Sequence, residues 1–135
     1  MRFLWAWLVY TWGGLHRYFG NQSSIRSEHE AAVRYFTKAY EIDPTFRRVL
    51  LERGVLLWRE LDQPEAALAD FNTLLEDDPQ FAPALMNRAM VAQNAGRYRE
   101  ALEDFEAFLD LAGSETEMYQ LEVQRTIALL REMVD

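Results

Sequence analysis

The chain has 135 residues, half of them apolar, a net charge of −8 and no cysteine. That length allows one folded domain with a substantial core, and the missing cysteines exclude disulfides, thiolate nucleophiles and cysteine metal sites. An acidic chain repels phosphate backbones, which argues against nucleic acid as a partner.

The charge is unevenly placed. Residues 1–60 hold nine basic and six acidic groups, a net +3, whereas residues 61–135 hold five and sixteen, a net −11. Lys38 is the one lysine among fourteen basic residues, a usage that points to a GC-rich, bacterial genome.

The first predicted element is a helix over roughly residues 2–19 of "MRFLWAWLVYTWGGLHRYFG", bent at Gly13-Gly14. Its uncharged run from Phe3 to His16 is shorter than the roughly 20 residues a spanning helix needs, and no Ala-x-Ala-like cleavage site follows. Residues 3–12 are apolar on every side, the pattern of a helix covered on more than one face. Phe3, Trp5, Trp7, Tyr10 and Trp12 therefore form a candidate apolar surface. The candidates to cover it are the following loop, a partner protein, a second copy, or a membrane interface, where Trp and Tyr accumulate.

A loop "GNQSSIRS" is expected next. Ser27 with Glu30 then reads as a capping box that opens the helix of "SEHEAAVRYFTKAYEI". That helix begins a repeat. "AAVRYFTKAYEIDPTF", "AALADFNTLLEDDPQF" and "EALEDFEAFLDLAGSE" align, with Ala32, Ala67 and Ala101 spaced by 35 and 34 residues. Phe36, Phe71 and Phe105 each follow their Ala by four, on the same helix face. Pro44 and Pro79 stop the first two helices, and Gly113 takes that place in the third. The later two copies each have a preceding partner helix, "RRVLLERGVLLWREL" and "PALMNRAMVAQNAG". Gly54 and Ala89 correspond there and permit close helix approach, and Gly96 ends the second of these helices.

Helix–turn–helix units at a period near 34, carrying small–x₃–aromatic and then Pro, resemble the tetratricopeptide repeat (TPR). The match covers residues about 28–113. It departs where Leu50 and Leu85 replace the early Trp, where Arg53 and Arg88 replace Leu, and where Leu57 and Ala92 replace Tyr. Trp5–x₂–Leu8–x₃–Trp12 echoes the family's first-helix pattern, with Val9 in the glycine place.

The resemblance implies an all-α, TPR-like helical-hairpin solenoid, a right-handed superhelix of about seven helices. The expected organisation is one domain over 1–135: an atypical first repeat (1–46), a second (47–81), a third (82–113) and a capping helix (114–135). A terminal repeat needs such a cap. Ser114 with Glu117 reads as its capping box. Met118, Leu121, Ile127, Leu130 and Val134 form its apolar stripe, and Glu122, Gln124, Arg125 and Glu132 are expected to face water.

His16 and His29 lack a metal-binding i, i+4 partner and read as surface or edge residues. Glu76-Asp77-Asp78 ends a helix without the alternating oxygens of a calcium loop. No phosphate-cradling glycine loop and no nucleophile–base pair stands out. The expectation is a non-enzyme without cofactor or metal.

In the resembled family the first helix of each pair lines a concave groove. By that resemblance the groove here is lined by Arg48, Leu51, Glu52, Val55, Trp58 and Arg59, then by Met86, Asn87, Met90, Gln93 and Asn94. Asn87 fits a position that clamps a peptide carboxylate in some family members. Glu117, Gln120 and Leu121 stand where basic partners would be needed. The functional expectation is a protein–protein interaction module, an adaptor or assembly factor with a protein or peptide partner. The expected location is the cytoplasm, and the alternatives are a protein held peripherally on a membrane by its aromatic helix, and a self-associating scaffold.

Overall fold

The structure, a computed structural model, describes residues 1–111 and 117–134, with side chains from Gln120 onward in the last helix. The described residues form seven helices and no strand: α1 Arg2–Ser23, α2 Arg26–Ile42, α3 Arg48–Arg59, α4 Pro64–Asp77, α5 Ala82–Asn94, α6 Tyr98–Leu111 and α7 Glu117–Val134. Contacts group the chain into two compact units, Met1–Asp70 and Phe71–Asp135.

In the first unit α1 and α2 run antiparallel. Gly13 of α1 lies against the Phe36 ring and Gly20 lies against His29. The buried residues of α1 are Ala6, Gly13 and Gly20, seven apart. Small residues on one stripe let the two backbones approach closely, and the neighbouring helix supplies the bulk. The core beneath is Ala32, Phe36, Ala39, Val49 and Leu56, with Val9, Tyr10, Val33, Tyr40 and Phe46 packed against it. Phe36 is fully enclosed. Tyr10 lays its ring beside Phe36 and edge-on to Phe46, with centroids 5.6 and 5.0 Å away.

Three expectations for this unit are corrected. First, α1 does not stop at residue 19; it is one continuous helix through Gly13-Gly14 to Ser23, and Ser24 turns the chain in the left-handed region at φ 52°. The loop "GNQSSIRS" is therefore mostly helix. Docking at Gly20 against His29 overrides the low helix propensity of glycine. Second, the register "Trp5–x₂–Leu8–x₃–Trp12" is displaced: the glycines against α2 are Gly13 and Gly20, the latter 34 residues before Gly54, and Trp5 and Trp12 point outward at 59% and 53% exposure. Third, Ser27 and Glu30 form no capping box. Ile25 is the N-cap residue without a side-chain bond, and Glu30 accepts a hydrogen bond from Arg26 Nε instead.

The two glycines of α1 make opposite predictions. A Cβ on Gly13 would meet Phe36 ring atoms at 2.9 Å, whereas one on Gly14 meets nothing within 4 Å. Gly14→Ala is expected to stabilise the protein by up to about 1 kcal/mol through helix propensity. Gly13→Ala is expected to destabilise it, because overpacking of about 1–3 kcal/mol outweighs that gain. Urea midpoints of the two variants on opposite sides of wild type would bear this out; midpoints moving together would reject it.

The Asp-Pro signals behave as repeats. Asp43 accepts from Thr45 N (3.1 Å) and Asp78 accepts from Gln80 N (3.1 Å), which tightens each turn after its helix. The Thr45 hydroxyl, 2.6 Å from Asp43 Oδ1, is the main cause holding the Asp43 carboxyl below its usual range. The α3–α4 turn passes through Asp62 at φ 53°, and Gly96 follows α5 at φ 76°.

In the second unit α5 and α6 pair around Ala89, Ala92, Ala101 and Phe105, all buried. α7 packs on α6. Its buried residues are Val123, Ile127 and Leu130, whereas Leu121 of the expected stripe is exposed. Glu122, Gln124, Arg125 and Glu132 face water as expected. The Ser114–Glu117 capping box, the Gly113 stop and the Met118 side chain lie outside the described residues.

Candidate interaction surfaces

Three faces collect the residues singled out in the sequence: one on α1 and α3, one on α5, and the outer side of α1.

On the first, Glu52 of α3 is buried at 9% exposure. It accepts from the Tyr10 hydroxyl at 2.7 Å, from Arg48 Nε at 3.1 Å, and from the Arg17 guanidinium. Burial, and next the bond to Glu52, push the Tyr10 hydroxyl above its ordinary pKa. A buried carboxylate with three donors is satisfied, so Glu52 organises this face and is not a contact residue. Tyr10 likewise leaves the expected apolar surface and turns inward. Arg48 and Arg59 are exposed; Leu51, Val55 and Trp58 are half-buried. The Arg59 guanidinium lies 5.1 Å from the Trp58 ring centre, in cation–π range. The Trp58 indole Nε1 is buried and has no hydrogen-bond partner among the described residues.

On α5, Met86 is buried and belongs to the core. Asn87 and Met90 are half-buried, while Gln93 and Asn94 are exposed. Asn87 Nδ2 donates to Pro83 O at 2.8 Å, and its Oδ1 is buried without a partner.

The sequence reading missed a recurring polar clasp. Arg53 donates to both oxygens of Asp70, at 2.8 and 2.5 Å, and to Thr37 Oγ1 at 3.0 Å. Arg88 repeats this with Asp104, at 2.7 and 2.8 Å, and with Asn72 at 3.0 Å. These bonds hold each arginine above its ordinary pKa. The signal was present as Arg53/Arg88, Asp70/Asp104 and Thr37/Asn72 recurring at the repeat period. Both "departures" from leucine are thus forks that tie α3 to α4 and α5 to α6.

The histidines are also internal to the first unit. His29 is 3% exposed, with Nε2 2.9 Å from Asn21 Oδ1. His16 stacks on Tyr35 and sits 2.6 Å from Glu28. The reading of both as surface or edge residues fails for His29, which the extended end of α1 covers. Among the described residues no cluster of three or more His, Cys, Asp or Glu could hold a metal ion, and no helix is long and apolar enough to cross a membrane.

On its outer side α1 exposes Phe3, Trp5, Trp7 and Trp12 together with Leu4, Leu8, Leu15, Tyr18 and Phe19. Phe3 also touches Phe46, with centroids 5.5 Å apart.

A family model of the tetratricopeptide repeat matches residues 27–46 and 82–115. Among curated proteins, the DnaJ homolog subfamily C member 7 homolog of Schizosaccharomyces pombe is 27% identical over 105 residues, which is 75% of this chain and 22% of that one. The chain spans less than a quarter of the length of the curated relatives it matches. Among solved structures, the Arabidopsis OM64 TPR domain superposes with a TM-score of 0.79 at 20% identity, covering 98% of this chain and 99% of that one. The Yersinia enterocolitica type III secretion chaperone SycD, in complex with a peptide of the translocator YopD, gives 0.77 at 16% identity, covering 95% and 93%.

Proposed function

The chain belongs to the tetratricopeptide-repeat family, and from that premise we propose that it is a non-catalytic interaction module, an adaptor or assembly factor that binds a protein or peptide through the first helices of its hairpins. Each unit supplies its own face. In the first, Leu51, Val55, Trp58 and Arg59 offer apolar and cation–π contact beside Arg17 and Arg48. In the second, Asn87, Met90, Gln93 and Asn94 offer amide groups and an adaptable thioether.

The observation that carries the reading is a pair of orphaned polar atoms, Trp58 Nε1 and Asn87 Oδ1. A buried donor or acceptor left unpaired is costly, and native proteins rarely keep one without a use. On each face separately, a shift of the half-buried side chain would open its orphaned atom to a peptide backbone, the indole to a C=O and the amide oxygen to an N–H. SycD holding a YopD peptide is a precedent on this fold for peptide binding.

Selection of displayed random peptides on the full chain tests this. A peptide selected on the first face is expected to bind Trp58→Phe, and one selected on the second face to bind Asn87→Ala, about tenfold more weakly than wild type, the effect of one lost hydrogen bond. The exposed α6 variant Glu103→Ala should leave affinity unchanged. If no peptide is enriched, or if both variants bind as tightly as wild type, the reading is wrong.

A further inference from the structure

The outer face of α1 is large, apolar and organised. Met1, Trp5, Leu8, Trp12, Leu15 and Phe19 follow one another at alternating steps of four and three, and all are 41–91% exposed. A 4-3 alternation is the seam of a helix that packs lengthwise on another helix. The core meets α1 on a different stripe, at Ala6, Gly13 and Gly20, and the seam side chains keep 41% or more of their surface open, with Trp12 edge-on to His16 of the same helix.

We propose that this seam pairs with the same seam of a second copy, α1 against α1 in antiparallel orientation, and that the protein is a symmetric dimer. Three features of the chain select that occupant.

The first is self-complementarity of size. One row of the seam is aliphatic (Met1, Leu8, Leu15) and the other aromatic (Trp5, Trp12, Phe19). In an antiparallel pair the layers join Met1 to the second copy's Phe19, Trp5 to its Leu15, and Leu8 to its Trp12. Every layer then holds one large and one smaller side chain, and a twofold axis makes each contact twice. Parallel pairing would place Trp on Trp and Leu on Leu, overfilling some layers and leaving others loose. The antiparallel arrangement also opposes the two helix dipoles.

The second is area. Side chains of this size, about half open, give the seam and adjoining Leu4 roughly 800 Å² of apolar surface per chain, which is what one partner contributes to a standard interface. That exceeds the roughly 300–600 Å² of the largest apolar patch on a typical monomer.

The third is charge. An interfacial helix holds an anionic membrane with Lys or Arg along its polar face. α1 carries just two arginines, Arg17 bound to Glu52 and Arg2 lying 3.9 Å from Asp43 with its side chain 67% exposed. The seam side chains are all uncharged, and α1 holds no lysine.

Sedimentation equilibrium and cysteine mapping of the full chain decide the matter. Wild type is expected at twice the chain mass at micromolar concentration. Trp12→Glu should self-associate about a hundredfold more weakly, because each copy then buries a charge in the seam. Circular dichroism of Trp12→Glu should remain helical, since the position is exposed. The native chain has no cysteine, so an equimolar mixture of Leu8→Cys and Trp12→Cys chains reads the register. The mixed disulfide should dominate over the Trp12→Cys homodimer. A dominant Trp12→Cys homodimer would overturn the antiparallel register. A monomeric wild type, or a dimer untouched by Trp12→Glu, would overturn the proposal. So would a monomer that co-sediments with phosphatidylcholine–phosphatidylglycerol vesicles, which would assign the face to lipid.

Discussion

Arg53→Met is expected to destabilise the protein by about 3–5 kcal/mol, the cost of stranding a buried charge by removing its partner. The side chains of Arg53 and Asp70 are only 19% and 7% exposed, so solvent screens the pair little. Arg53 fills both oxygens of Asp70 and also reaches Thr37. Its loss therefore leaves a carboxylate without its fork, in a place where water cannot replace it. The double variant Arg53→Met/Asp70→Leu should recover most of the loss, because an apolar pair of similar volume often matches a buried ion pair. Arg88→Met should cost less, since its side chain is 32% exposed. Urea unfolding followed by circular dichroism measures all three. A single-variant loss under about 1 kcal/mol, the range of surface pairs, would mean that the clasp is decorative.

Phe36→Ala is expected to cost about 3–5 kcal/mol, as full-size aromatic truncations in cores do. Phe36 has no exposed surface, touches the bare backbone of α1 at Gly13, and stacks beside Tyr10. Its removal leaves a cavity that glycine cannot fill. The effect should be coupled to Gly13. Gly13→Ala destabilises wild type by crowding the ring, and in the Phe36→Ala background it should cost clearly less, because the ring contact is gone while the one to Tyr35 Cβ at 3.0 Å remains. Additive free energies in that double-mutant cycle would show that the two sites do not meet.

Both predictions concern residues whose importance was unequally legible. Phe36 was visible in the sequence, because Ala32–x₃–Phe36 repeats at Ala67 and Ala101 on one helix face. Arg53 stood out as an exception to the family pattern, and its recurrence as Arg88 was legible, but not what it binds. Its partner Asp70 lies 17 residues away, across a turn, and no helical periodicity links them. The same holds for the face on α1 and α3. Arg48, Leu51, Val55 and Trp58 could be placed from the repeat register, but the burial of Glu52 could not. It depends on Tyr10 and Arg17 arriving from α1, 42 and 35 residues earlier.

The aromatic segment separates the two kinds of information most clearly. Its composition already showed more apolar surface than one neighbour could cover. Of the five side chains expected on that surface, Phe3, Trp5, Trp7 and Trp12 are exposed and Tyr10 turns inward, but the stripe that docks α1 on α2 was not foreseen. In the fold the packing residues are the small ones, Ala6, Gly13 and Gly20, since close approach of α1 to α2 needs backbone without side chains. The all-α repeat, the helix stops at the Asp-Pro turns and the excess of apolar surface near the start could be read from the residues alone, because propensity and periodicity are local. The length of α1, its docking face and the Arg–Asp clasps emerge only in the folded chain. Those depend on which atoms of distant segments come within van der Waals or hydrogen-bond reach.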